Sequence, residues 1–145
     1  MTGEALATLG LALCAGLCGV GSAIGLWYTG SAASGVLAEE PKKFSKVLIL
    51  VVLPATQGIY GFVFAILGLS GITAGMEAIA GAKIFAASMP LAFTGLISGI
   101  FQGKTAVGGI YAIAKNESLS GKLILFPAMV ETYAILGLVV SILLL

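Results

Sequence analysis

Glu131 is the one acidic residue set well inside a long apolar stretch. It lies nine residues beyond Lys122, so a helix rising about 1.5 Å per residue carries it about 14 Å from that charged flank. A charged group at such a depth in a bilayer costs at least about 2.5–3.5 kcal/mol, and an ionisable residue there is a functional candidate by default. Gln57 stands eleven residues past Lys46 and Gln102 thirteen before Lys115, about 17 and 20 Å from the same flank. Three polar side chains from three different segments therefore converge at a similar depth.

The segment around Gln57 extends this set. Leu53, Thr56, Gln57 and Tyr60 share one helical face about 100° wide at 100° per residue. Pro54 cannot donate to the carbonyl of Leu50, and its ring bends the helix, tilting nearby carbonyls outward. The face offers a hydroxyl, an amide oxygen, a phenol and a main-chain carbonyl, the kind of oxygen donors that a hard cation takes. The plainer alternative is that Thr56 and Gln57 hydrogen-bond helix to helix; an acid and a second amide at the same depth weigh against it. Lys104 is a candidate partner for Glu131, but it lies about 200° around its helix from Gln102. If Gln102 faces Glu131, Lys104 faces away.

The elements that must position these residues are membrane helices. Of the 145 residues, 59% are hydrophobic and only 9% charged. That leaves too little polar surface for a water-soluble domain and suits a bilayer. Apolar segments run over about Ala5–Leu37, Val47–Leu69, Ile84–Ala114 and Leu123–Leu145. Each reaches the roughly 20 residues a span needs, and backbone groups satisfied inside lipid require helices. The expected connections are 38–46, 70–83 and 115–122. Lys42, Lys43, Lys46, Lys115 and Lys122 fall in the first and third, so these two connections are expected on the cytoplasmic side and both termini outside.

The second half repeats the first at a shift of 73 residues: Leu50, Pro54, Ala55 and Tyr60 match Leu123, Pro127, Ala128 and Tyr133, and Gly30 and Gly35 match Gly103 and Gly108. The fold expected is an all-α membrane protein of four transmembrane helices in two tandem hairpins, residues 1–72 and 73–145, the second carrying Glu131. The repeat is parallel, unlike that of inverted-repeat transporters. The first span carries Gly16, Gly21, Gly25, Gly30 and Gly35, the third Gly95, Gly99 and Gly103. Such residues let backbones approach closely in lipid, which places these two spans innermost, as in a ring.

The same inventory excludes other chemistry. A net charge of +1 without a basic patch argues against nucleic acid. No basic stretch precedes the first apolar run, so a cleaved signal peptide is not expected. Cys14 and Cys18 lack the further ligands of a metal site and read as packing residues. Residues 98–105, S-G-I-F-Q-G-K-T, approach a phosphate-binding loop, but Ser98 stands where its first glycine belongs and no strand precedes it, so no catalytic nucleotide site is expected.

The segments P-A-T-Q-G-I-Y-G-F at 54–62, G-L-I-S-G-I-F-Q-G-K at 95–104 and M-V-E-T-Y-A-I-L at 129–136 closely resemble the proteolipid (K or c) subunit of bacterial V-type ATPases, nearest its Na⁺-transporting branch. The resemblance covers nearly the whole chain. It implies a homo-oligomeric rotor ring in the bacterial cell membrane, turned through a central stalk past a stator subunit bearing an essential arginine. It further implies Na⁺ as the transported ion, with Glu131 supplying the carboxylate, Thr56 a hydroxyl, Gln57 and Gln102 side-chain oxygens and Leu53 its main-chain carbonyl. Tyr60 would hydrogen-bond Glu131 and close the site. Gly58 matches Glu131 in the first hairpin, so each subunit would carry one ion.

Two other readings stand beside this one. An H⁺-carrying proteolipid needs only Glu131 in an apolar setting and leaves Thr56, Gln57 and Gln102 without a task. A small four-helix cation-coupled antiporter would line a drug-sized cavity with its glutamate and with aromatic residues.

Overall fold

A computed structural model describes residues 2–145. The elements run α1 (Gly3–Glu39), a 3-10 turn at Pro41–Lys43, α2 (Phe44–Val52), a 3-10 turn at Leu53–Ala55, α3 (Thr56–Leu69), α4 (Ala78–Lys115), a 3-10 turn at Glu117–Leu119, α5 (Ser120–Leu123) and α6 (Leu125–Leu144). No strand occurs among the described residues. Four helical stretches, Gly3–Glu39, Pro41–Leu69, Ala78–Lys115 and Glu117–Leu144, are long and apolar enough to cross a membrane.

The helices overrun the apolar segments of the sequence. Helical structure resumes at Pro41 and Glu117, so the connections expected at 38–46 and 115–122 shrink to little more than Glu40 and Asn116, and α4 starts at Ala78 rather than Ile84. Side-chain polarity marks where lipid ends. A helix satisfies its own backbone and continues into water until a cap or a turn stops it. Thr2 begins α1 by accepting from the Ala5 N–H at 3.3 Å.

α1 and α4 form the broadest helix contact, flanked by α2–α3 and α6. Their backbones meet because glycines line both faces. A methyl group on Gly103 would come within 2.5 Å of the Gly25 Cα, and one on Gly21 within 2.6 Å of the Leu96 carbonyl oxygen. Gly16, Gly30, Gly35 and Gly108, by contrast, have nothing within 4 Å of an added Cβ. Cys14 and Cys18 are fully buried, free, and packed in the core with Phe64, Leu91 and Ala92. A second core joins Val47 and Leu50 of α2 to Ala106, Ile110 and Ile113 of α4.

One of the five flanking lysines is not a surface residue. Lys43 is 5% exposed; Pro41 starts a turn that folds it back onto the end of α4. Its ammonium donates to the Ala114 carbonyl oxygen at 2.5 Å and pairs with Glu40 at 2.6 Å. A cation at a helix C-terminus also suits the helix dipole.

Candidate functional site

Pro54 shapes the local backbone. It ends the α-helical ladder, so α2 stops at Val52, a single 3-10 turn covers Leu53–Ala55, and α3 restarts at Thr56. Leu53 therefore sits in the turn, while Thr56, Gln57 and Tyr60 follow on the first turns of α3. The 100° spacing read from the sequence holds for the last three and is interrupted at Leu53. The Leu53 carbonyl accepts the Thr56 hydroxyl at 3.1 Å.

Glu131 projects from α6 between α3 and α4. Tyr60 donates its phenol to Oε1 at 2.5 Å, and Gln102 donates Nε2 to Oε2 at 3.1 Å. Each carboxylate oxygen is thus held by a donor from a different helix. Gln102 Nε2 also donates to the Pro127 carbonyl at 3.2 Å, and its Oε1 accepts from Gln57 Nε2 at 2.7 Å. Both amides are completely buried. The chain of contacts Tyr60–Glu131–Gln102–Gln57 joins three helices, and it includes the residues whose depths coincide in the sequence.

One atom of this chain is left over. Gln57 Oε1 is buried without a hydrogen-bond partner. A buried acceptor left unmade costs about 1–3 kcal/mol. With the Glu131 carboxylate and the Gln102 amide oxygen of the same hydrogen-bonded network, and the Thr56 hydroxyl and Leu53 carbonyl just before it in the chain, it makes up an oxygen-only inventory of the kind a hard cation takes.

Lys104 takes no part. It is exposed, and its ammonium lies 5.5 Å from the ring centre of Tyr28 and 5.4 Å from that of Phe101. The static pair with Glu131 does not form; Lys43–Glu40 is the ion pair found among the described residues. A groove of about 320 Å³ runs beside the site, lined by Phe93, Phe101 and Tyr133 among others, but Glu131 is not in its wall. This departs from what an aromatic-lined substrate cavity around the glutamate requires.

Two residues of α1 that sequence reasoning missed also reach this region. Thr29 donates its hydroxyl to the Val51 carbonyl at 2.9 Å, and Ser22 Oγ accepts from the Gly58 N–H at 2.7 Å. A signal for Thr29 was present: at the repeat shift of 73 it is the counterpart of Gln102. Gly58, the counterpart of Glu131, lies against Ser22, whose Oγ would be 3.2 Å from an added Cβ.

Comparison with known proteins agrees along nearly the whole chain. The ATP synthase C-subunit family matches twice, over residues 9–68 and 85–144. The chain is 48% identical over 142 residues to the V-type sodium ATPase subunit K of Enterococcus hirae, a match that covers 98% of this chain and 91% of that one. It is 41% identical over 140 residues to the A-type ATP synthase subunit K of Methanocaldococcus jannaschii, covering 97% of this chain and 61% of that longer relative. It is 30% identical over 145 residues to the c'' subunit of the V-type proton ATPase of Saccharomyces cerevisiae, covering 94% of this chain and 68% of the other.

Proposed function

The chain belongs to the ATP synthase C-subunit family, and from that premise we propose that it is a membrane rotor-ring subunit of a V-type ATPase that binds Na⁺ at Glu131 and carries it across the membrane. The observation that carries this reading is the buried, unpartnered Oε1 of Gln57, whose amide is joined through Gln102 to the carboxylate that Tyr60 and Gln102 hold. Proton carriage needs a carboxylate alone; an orphaned amide oxygen in the same network is a cost until a cation occupies it. The 48% identity to a V-type sodium ATPase subunit K supports the same ion.

Glu131 with Na⁺ is a nearly neutral package that can face lipid while the ring turns. Empty and ionised, the carboxylate meets the burial penalty, so it crosses the lipid-facing arc only when loaded. At the stator, an arginine of the stationary membrane partner competes for the carboxylate and expels the ion. Thr56, Gln57, Gln102 and the Leu53 carbonyl take the place of the water that Na⁺ gives up, and Tyr60 closes the site over the carboxylate. The subunit itself performs no catalysis; ATP hydrolysis belongs to soluble subunits that drive the ring through the central stalk.

Gly58 in place of a second acid leaves one ion for each pair of hairpins. Fewer ions per turn put more ATP energy behind each, and moving one charge costs about 2.3 kcal/mol per 100 mV. The arrangement favours pumping against a steep gradient. The lysine-bearing ends near residues 42–46 and 115–122 face the cytoplasm of the bacterial cell, and the termini face outward.

The test is radioactive Na⁺ binding to purified rings, with and without Glu131→Gln. The expected result is one saturable site per subunit, lost in the variant while the ring stays assembled. Rings that take up no Na⁺ at any pH, yet pump protons in the reconstituted complex, would overturn the ion assignment in favour of H⁺.

A further inference from the structure

The break at Pro54 creates two raw helix ends in the middle of a membrane. α2 ends at Val52, so the carbonyl of Val51 is among the last four that lose their usual partners, and α3 begins at Thr56, so the N–H of Gly58 is among the first four left over. The usual remedy at a helix start is a Ser, Thr, Asp or Asn at the N-cap. That position is Ala55, which has no capping side chain.

α1 supplies what is missing at both ends. Ser22 Oγ accepts the Gly58 N–H at 2.7 Å, and the Thr29 hydroxyl reaches the Val51 carbonyl at 2.9 Å, its shortest contact. Between them, Gly25 makes room for Pro54, whose Cβ would stand 2.6 Å from a methyl group at that position. Ser22, Gly25 and Thr29 are spaced three and four apart, so they form one face of α1. They meet Val51, Pro54 and Gly58, which bracket the turn. Thr29 is fully buried and Ser22 is 6% exposed. The repeat gives independent support. The counterpart of Thr29 is Gln102, and it too donates to a main-chain carbonyl at its own hairpin's proline, Pro127, at 3.2 Å.

We propose that Ser22 and Thr29 are positioning residues for the cation site: they cap the two broken helix ends from α1 and so fix the direction of the Leu53 carbonyl, Thr56 and Gln57. Neither touches the ion. This rests on the reading of the site as a Na⁺ site, which it deepens by naming what holds three of the five donors in place. The hydroxyl of Thr29 is needed for this role and its methyl group is not, which separates positioning from packing.

The experiment is radioactive Na⁺ binding to intact purified rings of the wild type, Thr29→Val, Thr29→Ser and Ser22→Ala, with Li⁺ competition on each. Thr29→Val keeps the shape and removes the donor. It is expected to weaken Na⁺ binding about tenfold, as befits a buried carbonyl losing its donor, and to shift the Na⁺/Li⁺ preference, because a loosened donor set closes more readily on a smaller ion. Thr29→Ser restores both. Ser22→Ala weakens binding in the same direction and keeps the inference testable if Thr29→Val rings fail to assemble. Wild-type rings that bind Na⁺ while either Thr29→Val or Ser22→Ala binds it equally well, with unchanged preference, overturn the positioning role alone. Wild-type rings that bind no Na⁺ overturn the site reading and this role together.

Discussion

The phenol of Tyr60 and the carboxylate of Glu131 meet at 2.5 Å although 71 residues separate them. The bond crosses from the first hairpin to the second, so the carboxylate of one repeat is gripped by a side chain of the other. Gln102 takes the remaining oxygen from α4. A free carboxylate in this setting could swing toward lipid or toward a neighbour. Donors from two helices hold it in place instead, an arrangement that would lower the ordering cost of loading an ion.

Removing the phenol tests that grip. Hydrogen bonds to charged groups are worth about 1.5–3 kcal/mol, so Tyr60→Phe is expected to weaken Na⁺ binding by about tenfold to a hundredfold. Binding isotherms on purified rings measure the effect. The loss should lie mainly in faster release, since the ring of phenylalanine keeps the packing. Unchanged affinity and release rate would show that the phenol only decorates the site.

The two buried amides should behave differently. Gln102 donates to Glu131 and Pro127 and accepts from Gln57, so Gln102→Leu leaves buried groups unsatisfied on two other helices. It is expected to lower both the melting temperature of Na⁺-free rings and Na⁺ affinity. Gln57 is less entangled: it donates once, to Gln102, and its Oε1 is unpartnered. Gln57→Leu strands the Gln102 Oε1 but removes the orphaned Gln57 Oε1, so Na⁺-free rings should stay close to wild type in stability, while most of the rise in melting temperature that Na⁺ confers by binding only the folded state is lost. Thermal melts with and without NaCl distinguish these patterns. A Gln57→Leu ring still stabilised by Na⁺ like the wild type would remove Gln57 from the donor set.

On the proposed Na⁺ reading, protons and Na⁺ compete for the oxygens of Glu131. A carbodiimide reacts with the protonated carboxyl, so NaCl should slow labelling of Glu131, and more NaCl should be needed at lower pH, where the proton competes better. Mass spectrometry of labelled rings across pH and salt reads this out. Labelling indifferent to NaCl at every pH would point to a proton-carrying ring.

The convergence of Glu131, Gln57 and Gln102 was legible because a helix converts sequence distance from a charged flank into height with a fixed rise. The tandem hairpins were legible for a similar reason: Pro54 and Pro127, Tyr60 and Tyr133 recur at one spacing. Ser22 was not, since small hydroxyl residues are common on glycine-rich helices and its partner is a main-chain group exposed by a break on another helix; Thr29 carried one signal, its match to Gln102 at the repeat shift, which went unread. The turn at Leu53–Ala55 was half legible. Pro54 announced a bend, but not that the helix would stop and restart. The burial of Lys43 was not legible, because composition groups it with Lys42 and Lys46, whereas the turn begun by Pro41 folds it under the end of α4.

Glycine positions divide by what stands opposite them. Gly103→Ala would drive a methyl group to 2.5 Å from the Gly25 Cα, a backbone atom that cannot yield without parting α1 from α4. Overpacking of this sort costs about 1–3 kcal/mol or more. Gly108→Ala, five residues on along the same helix, meets nothing within 4 Å inside its own subunit and gains helix propensity of about 1 kcal/mol. Expression in membranes and resistance of the detergent-solubilised protein to heat should fall for the first and hold or rise for the second. Equal tolerance of both would mean that the α1–α4 contact is looser than its geometry.

Lys43 gives the sharpest contrast among the flanking lysines. Its ammonium satisfies the Ala114 carbonyl at the end of α4, and its side chain is 6% exposed. Lys43→Met keeps much of the stem and removes the donor, leaving that carbonyl without its cap; Glu40, which is 56% exposed, simply returns to water. The expected loss is about 1–3 kcal/mol of stability from the unmet carbonyl, seen as a lower melting temperature for the protein. Lys42→Met removes a charge from an exposed side chain and should leave stability within about 0.5 kcal/mol of the wild type. The difference depends on burial and not on charge count, so added salt should not erase it, as it would for a surface ion pair.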